Sequence, residues 1–161
     1  MCRCVASALA GRSSPRALAL ASKLRTVANG LIATIESIDP DAWDRLRKPG
    51  EWSPGKDAEH VTDAAALHFW RVCSALRLVH SEPPRIERAQ LTASRSQAEI
   101  LALLRSRIGH SVAVIEALTD GQLDAVEGMS RSVADVIERP LIRHLETHRE
   151  EIENKLRAIK R

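Results

Sequence analysis

The sequence predicts an all-α protein folded as a four-helix bundle. Apolar residues recur every three or four positions in four long segments, which is the spacing of one helix face. Strand-like alternation does not persist over any useful length. Aromatic residues make up only 2% of the 161 residues, so the core has to consist of Leu, Ile, Val and Ala, which favours helices. A chain of this length can bury such a core in one domain without disulfides.

The first two helices are predicted from their apolar positions and their ends. The first begins at about Ala17 and ends before Pro40, because the residue preceding a proline avoids the helical region. Ser53 and Pro54 have the pattern of an N-cap followed by proline in the first turn, and they predict a second helix that reaches about His80. The positions expected to face the core are Leu24, Val27, Leu31, Ile35 and Ile38, then Val61, Ala65, Val72, Leu76 and Val79.

The third helix is predicted over about 96–118 and is broken by residues 119–121, which read Thr-Asp-Gly. The fourth runs from about Val133 to Ala158. Pro140 falls inside it and should kink the helix or start its main segment. The simplest arrangement of four such helices is an antiparallel bundle. The expected core positions are Leu101, Leu104, Ile108, Val112, Ile115 and Leu118, then Ile137, Leu141, Ile152, Leu156 and Ile159.

The first thirty residues are net positive, whereas the rest of the chain is slightly net negative. They hold five basic residues and no acid, whereas the whole chain has a net charge of +3 and a pI of about 9.0. We predict a basic, flexible tail over residues 1–15 and a single bundle domain over residues 16–161. A transit peptide, or a start codon assigned upstream of the true one, would have the same composition. Cys2 and Cys4 in this tail are read as incidental thiols.

Composition also limits location and partners. The predicted second to fourth helices mix both charge signs, and the chain has no tyrosine and few aromatic residues for base stacking, so we expect no nucleic-acid partner. No apolar run reaches the roughly 18 residues of a membrane span. The protein is therefore expected to be cytoplasmic, to make no membrane contact, and to act on a small molecule, as a monomer or a homodimer.

Three histidines are candidate metal ligands. His144 and His148 are four residues apart on one helix face, and they continue the apolar stripe through Leu141 and Ile152. Imidazoles on a core face need partners, because an unpaired buried polar group costs a few kcal/mol, and one shared metal ion satisfies both. His60, in the first turns of the second helix, is placed to add a third nitrogen. Three histidines leave a coordination position open, as in catalytic zinc sites.

Two other polar residues near these histidines, His68 and Glu146, are not expected to bind the metal ion. His68 is eight residues beyond His60, about 12 Å along a helix, so it is expected to be buried or to line a pocket. The zinc-protease pattern H-E-x-x-H places its glutamate directly after the first histidine. Here Glu146 follows one place later, about 200° around the helix from His144, which argues against a metalloprotease.

Three short motifs resemble those of the DinB-like family. EWSPGKDAEHVTD at 51–63 resembles the family's W-S-x-x-x-x-x-x-H-x-x-D opening of the second helix. LIRHLETHREEI at 141–152 resembles its last-helix pattern H-x-x-x-H-R-x-Q-I, with Glu151 where glutamine is usual. IDPDAW at 38–43 fits its I-P-x-x-x-W connection. Together the motifs extend the resemblance over about residues 20–160.

The resemblance implies a DinB/YfiT-like bundle with up-down-down-up connectivity and a divalent metal held by His60, His144 and His148. Histidine-only sites suit zinc, nickel, copper or iron, of which we expect zinc or nickel. Family members with known activity are mostly transferases or isomerases that use low-molecular-weight thiols such as bacillithiol or mycothiol. The implied function is a metal-dependent thiol S-transferase, or a hydrolase. The alternative is a non-catalytic bundle that binds metal or dimerises and acts through interaction.

Four further residues receive expected roles. Asp63, three residues after His60, is the candidate catalytic group, either orienting the imidazole or acting as a base. Arg149 is the candidate contact for a carboxylate of the thiol cofactor. Glu59 and Glu151 are weaker candidates that we expect to be solvated.

Overall fold

The computed structural model describes residues 14–126 and 130–159, which form helices and connections without strands, so the all-α prediction is confirmed. None of the helices in this part of the chain combines the length and apolarity needed to cross a bilayer. The elements are α1 (Pro15–Glu36), α2 (Pro40–Trp43), α3 (Pro54–Ala75), α4 (Gln97–Glu116), α5 (Asp120–Leu123), α6 (Val133–Val136), a π-helical segment (Ile137–Arg143) and α7 (His144–Ile159).

Serine side chains cap the first three long helices. The predicted cap Ser53 accepts a hydrogen bond from the backbone N–H of Lys56, with Pro54 at the first helical position. Ser96 caps α4 in a reciprocal box with Glu99. Ser14 caps α1 and donates its backbone N–H to the Leu118 carbonyl at 3.0 Å. Helix α1 therefore begins at Pro15, inside the segment expected to be the tail; residues 1–13, with Cys2 and Cys4, lie outside the described residues.

Helix α3 ends earlier than predicted, at Ala75 instead of near His80. Arg77 adopts a left-handed conformation with φ 54°, and the N–H of Leu78 bonds the Cys73 carbonyl at 2.8 Å. This is the six-to-one hydrogen bond that ends many helices. The residue at the left-handed position is usually glycine, and without one the sequence carries no visible stop signal.

Contacts between the long helices fix their relative directions. Helix α1 packs antiparallel to α4 and parallel to α7, whereas α3 packs antiparallel to α7 and parallel to α4. Helices α1 and α7 thus run one way, and α3 and α4 the other. The contacts that establish this are Gln97 with the Ile35 carbonyl, Arg25 with Glu116, Lys23 with Glu138, Thr34 with Glu153, Lys155 with Asp57, His68 with His144, Arg107 with Asp63, and His110 with Phe69.

The core is largely aliphatic, as the composition predicts. Most of the predicted inward positions are buried, and Leu24, Leu31, Ile35, Leu104, Ile115 and Leu141 are completely inaccessible. Each such side chain contributes about 1.5–3 kcal/mol of burial free energy. Leu76, Val79, Leu101, Leu156 and Ile159 pack against the core from its edge and are only partly buried.

Pro140 lies inside the π-helical segment that leads into α7. In an α-helix, a proline ring clashes with the carbonyl four residues earlier and its missing N–H leaves that carbonyl unpaired. The wider π turn uses hydrogen bonds over five residues, so the proline is accommodated and the chain stays helical from Val133 to Ile159. The α-helical main segment starts at His144, four residues after the proline.

Gly55, in the first turn of α3, allows close packing of Trp43. A Cβ at this position would lie 2.6–2.8 Å from three atoms of the buried indole ring. We expect Gly55→Ala to lower the free energy of unfolding by about 1–3 kcal/mol, the usual cost of overpacking, as measured by urea denaturation.

Gly109 in α4 is the matched control, because a Cβ there would have no heavy atom within 4 Å. We expect Gly109→Ala to raise stability by up to about 1 kcal/mol through helix propensity. Equal effects of the two substitutions would contradict the role assigned to the Trp43 contact.

Candidate metal centre

The structure brings the three predicted ligands together between α3 and α7. One nitrogen from each of His60, His144 and His148 lies within 4.8 Å of the others. Ring centroids are 5.0 Å apart for His60 and His148, and 4.4 Å apart for His144 and His148. His60 and His148 are buried and His144 is half-buried. Trp52 covers His60, with ring centroids 4.8 Å apart. We call this group the histidine cluster.

Several nitrogens of the histidine cluster have no hydrogen-bond partner among the described residues. They are Nδ1 of His60, Nε2 of His144 and Nδ1 of His148, and all are buried. Glu151 Oε2 lies 2.8 Å from Nδ1 of His148, but outside the direction in which a ring N–H would donate. Buried polar atoms are normally paired. Three clustered imidazoles with unpartnered buried nitrogens fit a divalent ion that prefers nitrogen ligands.

The electrostatics of the cluster favour neutral imidazoles. Burial, followed by the charge of His144, lowers the pKa of His60 to about 4. Burial, followed by the charges of His144 and His60, lowers the pKa of His148 to about 3. Burial and then the charge of Arg88 lower the pKa of His144. At neutral pH all three side chains are therefore in the form that binds metal.

These shifts predict acid sensitivity of the metal-free protein. In the unfolded chain the histidines titrate near 6.5, whereas His60 and His148 titrate near 4 and 3 when folded. Because the folded pKa values are depressed, the stabilisation is present above pH 6.5 and is lost as the pH falls toward 4 and below. Each pKa unit corresponds to about 1.4 kcal/mol per group, so we expect the free energy of unfolding to drop by several kcal/mol.

Asp57 opposes this trend, because burial raises its pKa to about 6 despite the nearby Lys155 ammonium. Its contribution is therefore lost as the pH rises from about 4 through 6, but it is one group against four histidines, because burial also lowers the pKa of His68. Urea unfolding of chelator-treated protein between pH 7 and 4.5 measures the net effect of these groups on the free energy of unfolding. His148→Gln should reduce the pH slope, and an unchanged slope would contradict the assignment.

His68 lies beside the histidine cluster but outside it. Its ring packs edge-on against His144 at 5.3 Å between centroids, and its buried Nδ1 has no partner among residues 14–126 and 130–159. Burial, followed by the charge of His144, lowers its pKa to about 4. The residue lines a groove, as expected from its distance along α3.

Asp63, the candidate catalytic group, is held by two guanidiniums. Both of its carboxylate oxygens accept from Arg95, and Oδ1 also accepts from Arg107 at 2.8 Å. No hydrogen bond joins it to His60 in the described part of the chain. A carboxylate held by two guanidiniums is poorly placed to receive a proton or to orient the imidazole, and here it ties α3 to α4.

Arg149 lies on the α1 side of α7. A Cβ at Gly30 of α1 would lie 2.6 Å from its Nη1, and its Nε is 3.6 Å from Glu153. The histidine cluster lies between α7 and α3, so the structure does not bring this guanidinium to it.

Glu59 is buried, so the prediction that it is solvated is wrong. It accepts from Lys56 Nζ at 2.9 Å, and also from Ser94 and Arg95. Burial alone would raise its pKa, but the hydrogen bonds from Ser94, Lys56 and Arg95 outweigh burial and lower the pKa to about 2. Lys56 is itself fully buried beside it. Glu59 directly precedes His60 in α3, and its carboxylate stays ionised at neutral pH.

Asp57, His148 and Glu151 form a second group whose ligand atoms lie within 4.8 Å. Lys155 Nζ is 2.5 Å from Asp57 Oδ2 and also donates to the Trp52 carbonyl. Because this ammonium already neutralises the Asp57 carboxylate, the histidine cluster is the better candidate for a metal ion.

Openings adjoin the histidine cluster on two sides. A cavity of about 850 Å³ is lined by His148, Trp52 and Glu151. A groove of about 450 Å³ is lined by His144 and His68, together with four arginines that sequence reasoning did not single out. In the sequence, only the spacing of these residues could have indicated a shared groove, because residues three or four apart lie on the same face of a helix. Arg71 follows His68 by three residues, and Arg139 precedes Arg143 by four.

A family model described as the DinB superfamily matches residues 23–152, which include all three histidines of the cluster. No curated protein and no solved structure matches the chain at a significant level.

Proposed function

Because the chain belongs to the DinB superfamily, we propose that it is a metal-dependent enzyme that transfers a low-molecular-weight thiol to a small electrophile. His60, His144 and His148 would hold one zinc or nickel ion. The thiol would be bacillithiol, mycothiol or a related compound, and water in its place would make the enzyme a hydrolase. Its cytoplasmic location and a homodimeric state remain predictions from the sequence.

The observation that carries the proposal is the convergence of three neutral imidazoles, each with a buried nitrogen that has no hydrogen-bond partner in the described part of the chain. Neutral ligands bring no negative charge to the site, so a bound cation keeps its full attraction for an anionic nucleophile. When bound, the ion lowers the pKa of a coordinated thiol or water toward neutrality.

The surrounding residues shape the site. Trp52 shields one side of His60 from water. The charge of Arg88 acts on both His60 and His144, so it also favours an anion beside them. Asp63 holds Arg95 and Arg107 in place, and its part in this proposal is to fix α3 against α4.

The test begins with protein purified without a histidine tag. Mass spectrometry should find about one divalent ion per chain. The ion is then replaced with cobalt, and bacillithiol, mycothiol and smaller thiols are added. A thiol that binds the metal should change the visible spectrum. A metal-loaded protein whose spectrum none of these thiols alters would contradict thiol transfer and favour a bundle acting through interaction.

A further inference from the structure

Four arginines converge on the groove beside His144. Arg71 comes from α3, Arg88 from the connection between α3 and α4, and Arg139 and Arg143 from the π-helical segment. Their side chains line one groove of about 450 Å³, and His144 and His68 also line it. We call it the arginine groove.

The arginine groove contains no neutralising acid. Its lining residues include no aspartate or glutamate, and within residues 14–126 and 130–159 none of the four guanidiniums forms a hydrogen bond or ion pair. Other arginines of the bundle are paired with carboxylates, namely Arg16, Arg25, Arg47, Arg95, Arg105 and Arg107.

Three glutamates near these arginines line a second groove. Glu138, Glu146 and Glu150 line it together with Arg139 and Arg143, which therefore border both grooves. Glu138 is already paired with Lys23 at 2.9 Å. No acid lines the arginine groove itself, and none of the three glutamates pairs with its arginines within residues 14–126 and 130–159, so the groove keeps an excess of positive charge.

Four unpaired like charges around one depression repel each other, and an anion placed among them relieves that repulsion. Guanidinium groups bind carboxylates and phosphates through two parallel hydrogen bonds, which gives them geometric specificity for these groups. The groove volume lies in the range of small-molecule pockets. The larger cavity on the His148 side differs, because Arg47 and Lys155 there are paired with Glu51 and Asp57.

We propose that the arginine groove binds a carboxylate or phosphate group of the small molecule on which the enzyme acts. The placement beside His144 would bring the rest of that molecule to the histidine cluster. The role in substrate binding rests on the proposed function, but anion binding by the groove does not require a metal.

Calorimetric titration of the full chain with succinate and with inorganic phosphate, at fixed ionic strength, tests the proposal. At least one probe should bind, and which one binds distinguishes a carboxylate from a phosphate ligand. Arg88→Ala/Arg143→Ala should weaken binding roughly tenfold or more, because charged hydrogen bonds are lost. The control Arg45→Ala/Arg131→Ala removes the same charge from exposed residues outside the groove, and should change affinity less than about twofold.

Equal weakening in both double variants, or no binding of either probe to the parent chain, would overturn the proposal. Metal content separates this outcome from failure of the proposed function. The groove variant should keep its metal, and His60→Ala should lose metal while still binding the probe. Loss of probe binding in His60→Ala would show that the anion binds the metal ion and would also overturn the proposal.

Discussion

We expect His148→Ala to purify with less than about a tenth of the metal bound by the parent chain. Removing an outer partner of a metal ligand already costs 10- to 100-fold in affinity, so removing a ligand should cost at least about 100-fold. His148 is buried, and its ring is 4.4 Å from His144 and 5.0 Å from His60. Only two of the three imidazole ligands would remain to bind the metal ion.

Mass spectrometry and thermal unfolding together check this result. Added metal should stabilise the parent chain by about 2.7 kcal/mol at 100 times its dissociation constant, and should leave His148→Ala nearly unchanged. The metal-free form of His148→Ala should unfold at a somewhat lower urea concentration than the metal-free parent, because truncating a buried ring leaves a cavity, so the response to added metal, and not the baseline stability, is the readout.

Two other histidines provide controls of increasing stringency. His110 is exposed on α4, and His110→Ala should keep its metal. His68 touches His144 but lies outside the histidine cluster, so His68→Ala should also keep it. Metal loss in His68→Ala equal to that in His148→Ala would mean that a different set of nitrogens holds the ion.

Periodicity made the histidine cluster predictable. His144 and His148 share one face of a helix, and His60 lies close to the stripe that faces it, so packing the apolar stripes together brings the three imidazoles together. The Ser53-Pro54 start of α3 was predictable for a similar reason, since both residues have local conformational preferences.

Features set by tertiary contacts were not predictable in this way. From the sequence, Glu59 is expected to be a solvated charge in a polar first turn of α3. It is buried because Ser94 and Arg95, which lie in a connection without apolar periodicity, contact its carboxylate. Arg88 reaches the arginine groove from the same kind of connection. The accommodation of Pro140 depends on the width of a π turn, which sequence pattern does not encode.

Lys56→Met should destabilise the protein by about 3–5 kcal/mol, the usual cost of removing one partner from a buried ion pair. Lys56 and Glu59 expose only 1% and 3% of their side chains, and Nζ lies 2.9 Å from Oε2. Arg95 and Ser94 still support the remaining carboxylate, so the lower end of the range is expected. Urea denaturation at pH 7 measures the loss.

A double-mutant cycle attributes that loss to the pair. Glu59→Gln alone leaves a buried ammonium without its counter-charge and should also be costly. Combining it with Lys56→Met removes both charges, so the double variant should lose clearly less than the sum of the single losses. Additivity within about 0.5 kcal/mol would indicate independent effects. The control is the same cycle on Lys23 and Glu138, whose charged atoms are also 2.9 Å apart but whose side chains are half-exposed. This pair should give a coupling energy below about 1 kcal/mol. The difference is expected because desolvation, and not the distance between the charges, makes the Lys56–Glu59 pair costly to break.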